Sequence, residues 1–407
     1  MTKTVEIVDS MMGTGKSTAI IAWMNSHPLK RFVYVSPLLS EAGEGGRLHQ
    51  EAKATFHAPE DLGDGKASSL LELLRLGANI SCTHSLYKLM TDEHFDAISR
   101  FDYTVVLDEE IGLIEAFHEY STSDLQWLLN NNVISVDEKD GMVSWISTTT
   151  GAESPSHKYY RMRQMCNAGC LYTTKRSDTM LTIQLPTKLI ECASRMIVLT
   201  YMFDDGILDS FLKLKGIEAI PFTERLDLQT VSGQAIRQLL TITQPPKKFN
   251  LRDKLSYSWY VNPNKGDIDA VKNAIRSVAA KWGVNKDCLL YTFPKHRSIA
   301  SDSRAAKIKP NSYTVKSNGS PCWLAIQTRA TNDYAHVTHI ISAYNRFPNV
   351  AVAAYLQDYE HPVDKDRFAL SELIQFLWRG CIRNGQPMHV CVFSARMEKL
   401  LRNWLDG

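Results

Sequence analysis

The 407-residue chain has no apolar run approaching the ~18 residues that a membrane-spanning helix needs, so no membrane partner is expected. An excess of charge of one sign is missing too: 46 Lys and Arg stand against 44 Asp and Glu, a formal net charge of +2. No strong field announces a polyanionic partner over the whole surface, although a locally basic groove stays open. A cationic, apolar leader is not evident, because the first residues read directly as a strand; a cytoplasmic protein is expected. The eight cysteines are scattered, which suits a reducing compartment. Cys166 and Cys170 lie close together, but no second pair accompanies them, and they read as small buried thiols rather than metal ligands. Repeats of roughly 20–50 residues and low-complexity tracts are lacking. What is present, 44% hydrophobic and 22% charged residues, is the composition of a soluble globular chain with room for two or three domains.

One stretch organises the rest. The apolar run Val5 to Val8 precedes Ser10, Met11, Met12, Gly13, Thr14, Gly15, Lys16, Ser17 and Thr18, and a helix-like run follows to Met24. Strand, glycine turn and helix in that order form the setting of a P-loop. Gly13 and Gly15 let the backbone turn its N–H groups toward phosphate, and the new helix brings its positive end to the same spot. Lys16 can reach the β- and γ-phosphates, and the Ser17 hydroxyl can ligate Mg²⁺. ATP and Mg²⁺ are the expected cofactors. Ser10 stands where the strict pattern has its first glycine.

Short buried runs at Phe32–Val35, Asn79–Cys82 and Tyr103–Leu107, with a helix around Leu70–Leu76, predict a doubly wound parallel sheet. Ligands of such sheets bind beyond the carboxyl ends of the strands, where Pro37, Thr83, His84, Asp108 and Glu109 fall. Asp108 can hold Mg²⁺ directly or through water, and Glu109 can orient or deprotonate an attacking water. Acids at a strand end are often solvated turn residues; a P-loop upstream shifts the balance to the functional reading.

Residues 112–190 are less regular and read as an insertion in the first domain: a helix over Asp124–Leu129, a hairpin of Val133–Val136 with Met142–Ile146, then a basic–aromatic run. In that run Lys158, Arg161 and Arg163, beside Tyr159 and Tyr160, suit phosphate contacts with base stacking, and equally a solvated basic face. The sheet resumes at Met196–Tyr201. Pro245 and Pro246, followed by Lys247 and Lys248, suggest a boundary, giving domains at 1–243 and 249–407. The second half alternates again: helix Ile268–Trp282, strands at Cys288–Phe293, Trp323–Ile326, Val337–Ser342, Val350–Tyr355 and His389–Phe393, and helix Phe368–Ile382, with no second P-loop.

With these residues in view the chain resembles a superfamily 2 helicase, nearest the compact helicases and translocases of bacteriophages. Ser10–Thr18 resembles motif I of that family and Asp108–Ile111 motif II. Pro37 with Arg47 resembles motif Ia, Thr83 and His84 the next nucleic-acid contact, and Leu199–Tyr201 motif III. In the second half Tyr291–Phe293 resembles motif IV, Thr328–Asp333 motif V, and Gln375, Arg379 and Arg383 motif VI. Thr331 replaces the usual small residue of motif V. Arg383 lies four residues after Arg379, where three is usual in DEAD-box members, so either arginine can be the one on the γ-phosphate.

The resemblance implies an α/β fold of two RecA-like parallel-sheet domains sharing one ATP site. It implies ATP-dependent helicase or translocase activity on single-stranded or forked DNA, with RNA left open, in phage replication or recombination. Other replication proteins are implied partners and the host cytoplasm the location. Asp333 joins the nucleotide-binding set and Thr328 the nucleic-acid contacts. Independently, Gln375, Arg379 and Arg383 recur at helical spacing and would share one face of a predicted helix. Arginines near a γ-phosphate stabilise the charge that develops in transfer. Two alternatives stay open: a P-loop kinase, which leaves the second half idle, and a terminase-type packaging motor, for which Asp333 and Asp358 are the isolated candidate acids.

Overall fold

The inner strands of the first sheet are short runs of mostly buried residues, many of them β-branched or aromatic, which favours a pleated surface over a helix. In the computed structural model, which describes residues 3–407 apart from 38–41, 44, 62–64, 85, 87–89, 109–112, 149–151, 177–178, 184, 186, 230–232, 296–307, 327 and 329–332, the first five are β1 (Thr4–Asp9), β2 (Phe32–Ser36), β3 (Phe56–His57), β4 (Asn79–Thr83) and β5 (Thr104–Asp108). Helices such as Lys16–Asn25, Lys66–Arg75 and Asp92–Arg100 connect them. The chain then leaves this sheet through β6 (Ile114–Ala116), β7 (Ile134–Val136), β8 (Val143–Trp145), β9 (Leu171–Thr173) and β10 (Met180–Ile183). It returns as β11 (Arg195–Thr200) and β12 (Glu218–Pro221). The seven strands order as β12-β1-β11-β5-β2-β4-β3, and every pairing is parallel.

The insertion has its own small core, with Leu125, Leu128, Ile134, Val143, Met162, Cys166 and Leu171 buried together. Its three-stranded sheet runs β6-β10-β9 and is antiparallel, and β7 and β8 form the expected hairpin. Ser121 caps the helix Thr122–Asn130: its hydroxyl accepts from the N–H of Asp124, whose carboxylate accepts from the N–H of Ser121.

The second sheet consists of β13 (Leu240–Ile242), β14 (Leu289–Thr292), β15 (His339–Ser342) and β16 (Met388–Val392), ordered β13-β16-β15-β14 and parallel throughout. The helix Lys265–Trp282 covers it. Asn264 caps its start, and Gly283, at φ 61°, ends it in the left-handed region open to glycine. Val271, Ile275 and Val278 from this helix meet Leu289, Tyr291, Ile341 and Cys391 of the sheet.

The chain divides into two compact units. The first holds Met1–Met11, Gly15–Leu228 and Asn349–Asp364; the second holds Met12–Thr14, Gln229–Pro348 and Lys365–Gly407. The change of unit at Leu228 comes earlier than the Pro245–Lys248 stretch, because β13 pairs with β16 and so carries 229–243 into the second unit.

Three sequence expectations differ from the structure. Val350–Asp358 is a helix, not a strand: the Asn349 side chain accepts from the N–H of Ala351 and Val352, a helix cap that outweighs the β-branched residues of the run. The helix groups with the first unit and packs there, where the Tyr355 hydroxyl donates to the Asp140 carbonyl at 2.7 Å and Asp358 pairs with Arg176 at 2.9 Å. Trp323–Ile326 forms only an isolated bridge to Tyr291. The helix expected over Phe368–Ile382 runs Lys365–Leu377 and stops at a turn. Past that turn Gly380 is extended, at φ −79° and ψ −173°, and fits closely: a Cβ there would lie 2.7 Å from Sδ of Met388 and 3.0 Å from the Val337 carbonyl. Among the described residues no helix is long and apolar enough to cross a membrane.

Candidate nucleotide site

Strand β1 delivers the glycine loop to the carboxyl edge of the first sheet. Gly13 and Gly15 have φ of 78° and 87°, which their lack of a Cβ permits. Gly15 is the N-terminal cap of the helix Lys16–Asn25, and no side chain caps that helix. The absence of a capping side chain leaves the positive end of the helix to the loop itself, the arrangement that suits phosphate. Lys16 folds back along the loop: its Nζ donates to the Ser10 carbonyl and to the Met11 carbonyl, the latter at 3.3 Å. Ser10, in place of a glycine, thus contributes its backbone oxygen to the lysine. Thr14 is buried.

Two strands away from β1, β5 ends in Asp108, which is buried. The Ser17 hydroxyl donates to Oδ1 of Asp108 at 2.9 Å. The Tyr34 hydroxyl, from β2, donates to Oδ2 of the same carboxylate. Serine, aspartate and glycine loop therefore meet at one place, as their order in the sequence suggests. Glu109, with Glu110 and Ile111, lies outside the described residues.

Several other first-half candidates fall at or just past strand ends of the same edge. In the parallel register Asp9 stands beside Thr200, Leu199 beside Asp108, and Ser36 beside Thr83. Pro37 follows β2 directly and His84 follows β4 directly. Arg47 begins the short helix Arg47–Glu51. Asp9 was not singled out from sequence, yet its Oδ1 accepts from the Met202 N–H at 2.8 Å and its Oδ2 from the Phe203 N–H at 3.0 Å. The Ser10 N–H donates to the Thr200 carbonyl at 3.1 Å. The loop after β11 is thereby tied to the entry of the glycine loop. Met202, at φ 60°, adopts a left-handed turn there.

In the second unit the helical stripe expected for Gln375, Arg379 and Arg383 is broken. Gln375 is on the helix and donates to Ser371 Oγ at 3.1 Å. Arg379 lies in the turn beyond it, buried, with Nη2 donating to the Ile326 carbonyl at 3.4 Å and the guanidinium 5.9 Å from the Phe376 ring. Arg383 belongs to the separate 3₁₀ turn Cys381–Asn384, and burial pushes its pKa down. Between the two arginines Gly380 is extended, at φ −79° and ψ −173°, a conformation that a helix does not pass through. Asp333 is exposed, and the Thr328 N–H donates to the Ala325 carbonyl at 2.9 Å. Arg329 to Asn332 lie outside the described residues.

The cations of the basic–aromatic run are held in ion pairs within the insertion. Lys158 pairs with Asp124, Arg161 with Glu119 and Arg163 with Glu153. The hydrogen bond to Asp124 raises the Lys158 pKa. Tyr159 also donates to Asp124, at 2.9 Å, and its ring lies 6.3 Å from that of half-exposed Trp127, nearly parallel at 20°. Cys166 and Cys170 are buried thiols, and burial pushes Cys166 up to about 12. The two isolated acids of the packaging-motor reading fall in different units, Asp358 in the first and Asp333 in the second.

Two parallel-sheet α/β units, the first opening with a glycine loop and carrying an insertion, make a RecA-like fold. S. tokodaii Xpd4 shares it: the structures align over 98% of this chain and 94% of that one with a TM-score of 0.51 at 12% identity. S. cerevisiae Dbp5 bound to RNA and ADP BeF3 aligns over 99% of this chain and 83% of that one, with a TM-score of 0.44 at 14% identity. In sequence the chain is similar to the SPbeta prophage-derived uncharacterized protein YonV of Bacillus subtilis (strain 168), 26% identical over 420 residues that cover 99% of both. Two family models match, the YonV middle domain over residues 114–182 and the YonV C-terminal Rossmann-like domain over 234–405. The first falls on the insertion.

Proposed function

We propose that this chain hydrolyses ATP with Mg²⁺ to translocate on or remodel nucleic acid, DNA foremost, in phage replication or recombination. The observation that carries the reading is the bond from Ser17 to Asp108 at the mouth of a glycine loop. A hydroxyl and a carboxylate held together are hard oxygen donors, which fit Mg²⁺ and the waters it retains. Mg²⁺ there would neutralise charge on the β- and γ-phosphates. Backbone N–H groups from Met12 to Thr18 are assigned to the phosphates, and Lys16 to their outer oxygens. Glu109 is assigned to the attacking water. Gln375, Arg379 and Arg383 are assigned to charge developing at the γ-phosphate, and Asp333 to the nucleotide.

Pro37, Arg47, Thr83, His84 and Thr328 are proposed nucleic-acid contacts, with Lys158, Arg161 and Arg163 as an outlying grip. The second parallel-sheet unit supports a motor over a P-loop kinase, which would leave it without a task. The prophage origin of the YonV relative supports a phage setting. ATP hydrolysis measured with single-stranded, forked and duplex DNA and with RNA tests the proposal. Stimulation by at least one of the DNA forms is expected. Hydrolysis indifferent to every nucleic acid, with phosphate passed to a small acceptor, would favour the kinase.

A further inference from the structure

β2 is buried along its whole length, in a core of Val8, Ile20, Phe32, Val106, Ile197 and Leu199, and Tyr34 places a phenol oxygen in it. Tyr34 is only 1% exposed. A hydroxyl in such surroundings is costly unless it is hydrogen-bonded. Its partner is Oδ2 of Asp108, itself 6% exposed, while Ser17 takes Oδ1. Register explains the reach: Tyr34 stands beside Val106 on the neighbouring strand, and Asp108 lies two residues further toward the carboxyl edge.

From this geometry we propose that Tyr34 is a positioning residue, which holds Oδ2 of Asp108 inward so that Oδ1 alone, beside Ser17, faces the metal–nucleotide complex. The inference rests on the ATPase reading and extends it to a residue that no motif marked. A carboxylate can rotate about its Cβ–Cγ bond and grip a cation with both oxygens. A phenol fixed by core packing prevents that rotation. Its rigid ring has few rotamers to lose, and donation to the ionised carboxylate is a charge-assisted bond, stronger than one between neutral groups. Asp108 would then offer one oxygen to the metal or to its waters, held in place before nucleotide arrives. Replacing the phenol with an apolar ring leaves a buried carboxylate oxygen without its donor and the carboxylate free to turn.

The test is Mn²⁺ binding, followed by electron paramagnetic resonance, to the full chain with ADP present. Wild type, Tyr34→Phe, Asp108→Ala and the double variant are compared, and nucleotide affinity in EDTA is measured in parallel. Asp108→Ala is expected to lose Mn²⁺ binding. Tyr34→Phe is expected to weaken it about tenfold, the size of effect that goes with losing one donor to a buried charge. Its metal-free nucleotide affinity should stay near wild type, and its unfolding temperature should fall by a few degrees at most. In the Asp108→Ala background Tyr34→Phe should add nothing. Wild-type Mn²⁺ affinity in Tyr34→Phe, with Asp108→Ala defective, would overturn the inference and leave the ATPase reading standing. Wild-type Mn²⁺ affinity in Asp108→Ala would instead overturn the site itself. Tyr34→Met, which fills the space with a flexible apolar chain, repeats the test if the phenylalanine variant does not fold.

Discussion

Ser17 and Asp108, 91 positions apart in the chain, are joined by a hydrogen bond of 2.9 Å. That bond converts a glycine loop and a strand end into one site. It requires β1 and β5 to present their carboxyl ends at the same edge, which the parallel order β1-β11-β5 provides. Asp9 reinforces the edge by binding the backbone N–H groups of Met202 and Phe203 after β11.

Lys16→Ala should abolish ATP hydrolysis, because it removes the cation from the phosphates. Nucleic-acid binding should largely survive. Glu109→Gln should bind ATP normally and hydrolyse it slowly, since Ser17 and Asp108 remain for the metal. Filter binding and phosphate release on both variants check this; turnover at the wild-type rate by Lys16→Ala would sink the P-loop assignment.

Arg379→Ala should bind a nucleotide analogue nearly normally yet lose ~10³-fold or more in turnover, the usual effect of removing an arginine that stabilises phosphoryl transfer. Arg383→Ala decides between the two arginines. They occupy separate turns around Gly380, so the two variants need not behave alike. Wild-type turnover in both would remove motif VI from the chemistry.

Much of the first sheet could be read from the sequence because parallel strands buried on both faces are continuous apolar runs. The glycine loop could be read because glycine accepts the φ of Gly13 and Gly15 without strain. Tyr34 and Asp9 could not, since their partners lie 74 and 193 positions away and no local pattern marks them. Helical spacing overran motif VI because periodicity registers neither the extended backbone of Gly380 nor its closeness to Met388 and Val337. Val350–Asp358 misled for the opposite reason, a local cap at Asn349 overruling β-branched composition.

Replacing Lys158, Arg161 and Arg163 together by alanine should weaken nucleic-acid binding. It should also flatten the salt dependence, by up to about one unit of slope for each phosphate no longer neutralised. The same change uncovers Asp124, Glu119 and Glu153, which then repel the backbone. Basal ATPase should stay near wild type. Identical affinity across a salt titration would mean that these ion pairs serve the insertion alone.

His339 and His389 stack at 4.7 Å, 7° from parallel, on adjacent strands. Burial, with a smaller contribution from the charge of His389, pushes the His339 pKa down to about 4. Unfolded, a histidine titrates near pH ~6.5. Below that pH the unfolded chain takes up a proton that the folded chain refuses, so stability falls as pH drops from about 6.5 to about 4. Allowing for partial exposure, the loss should be on the order of 1–2 kcal/mol. His339→Phe should flatten this part of a chemical-unfolding pH profile, and an unchanged profile would contradict the assignment.

Phosphate release from ATP at saturating single-stranded DNA, titrated with Mg²⁺, compares wild type with Asp108→Asn most directly. Mg²⁺-dependent, DNA-stimulated turnover is expected in wild type, with a loss of ~100-fold or more in Asp108→Asn that added Mg²⁺ restores only in part. Equal turnover by the two proteins, or wild-type turnover without Mg²⁺, would contradict it.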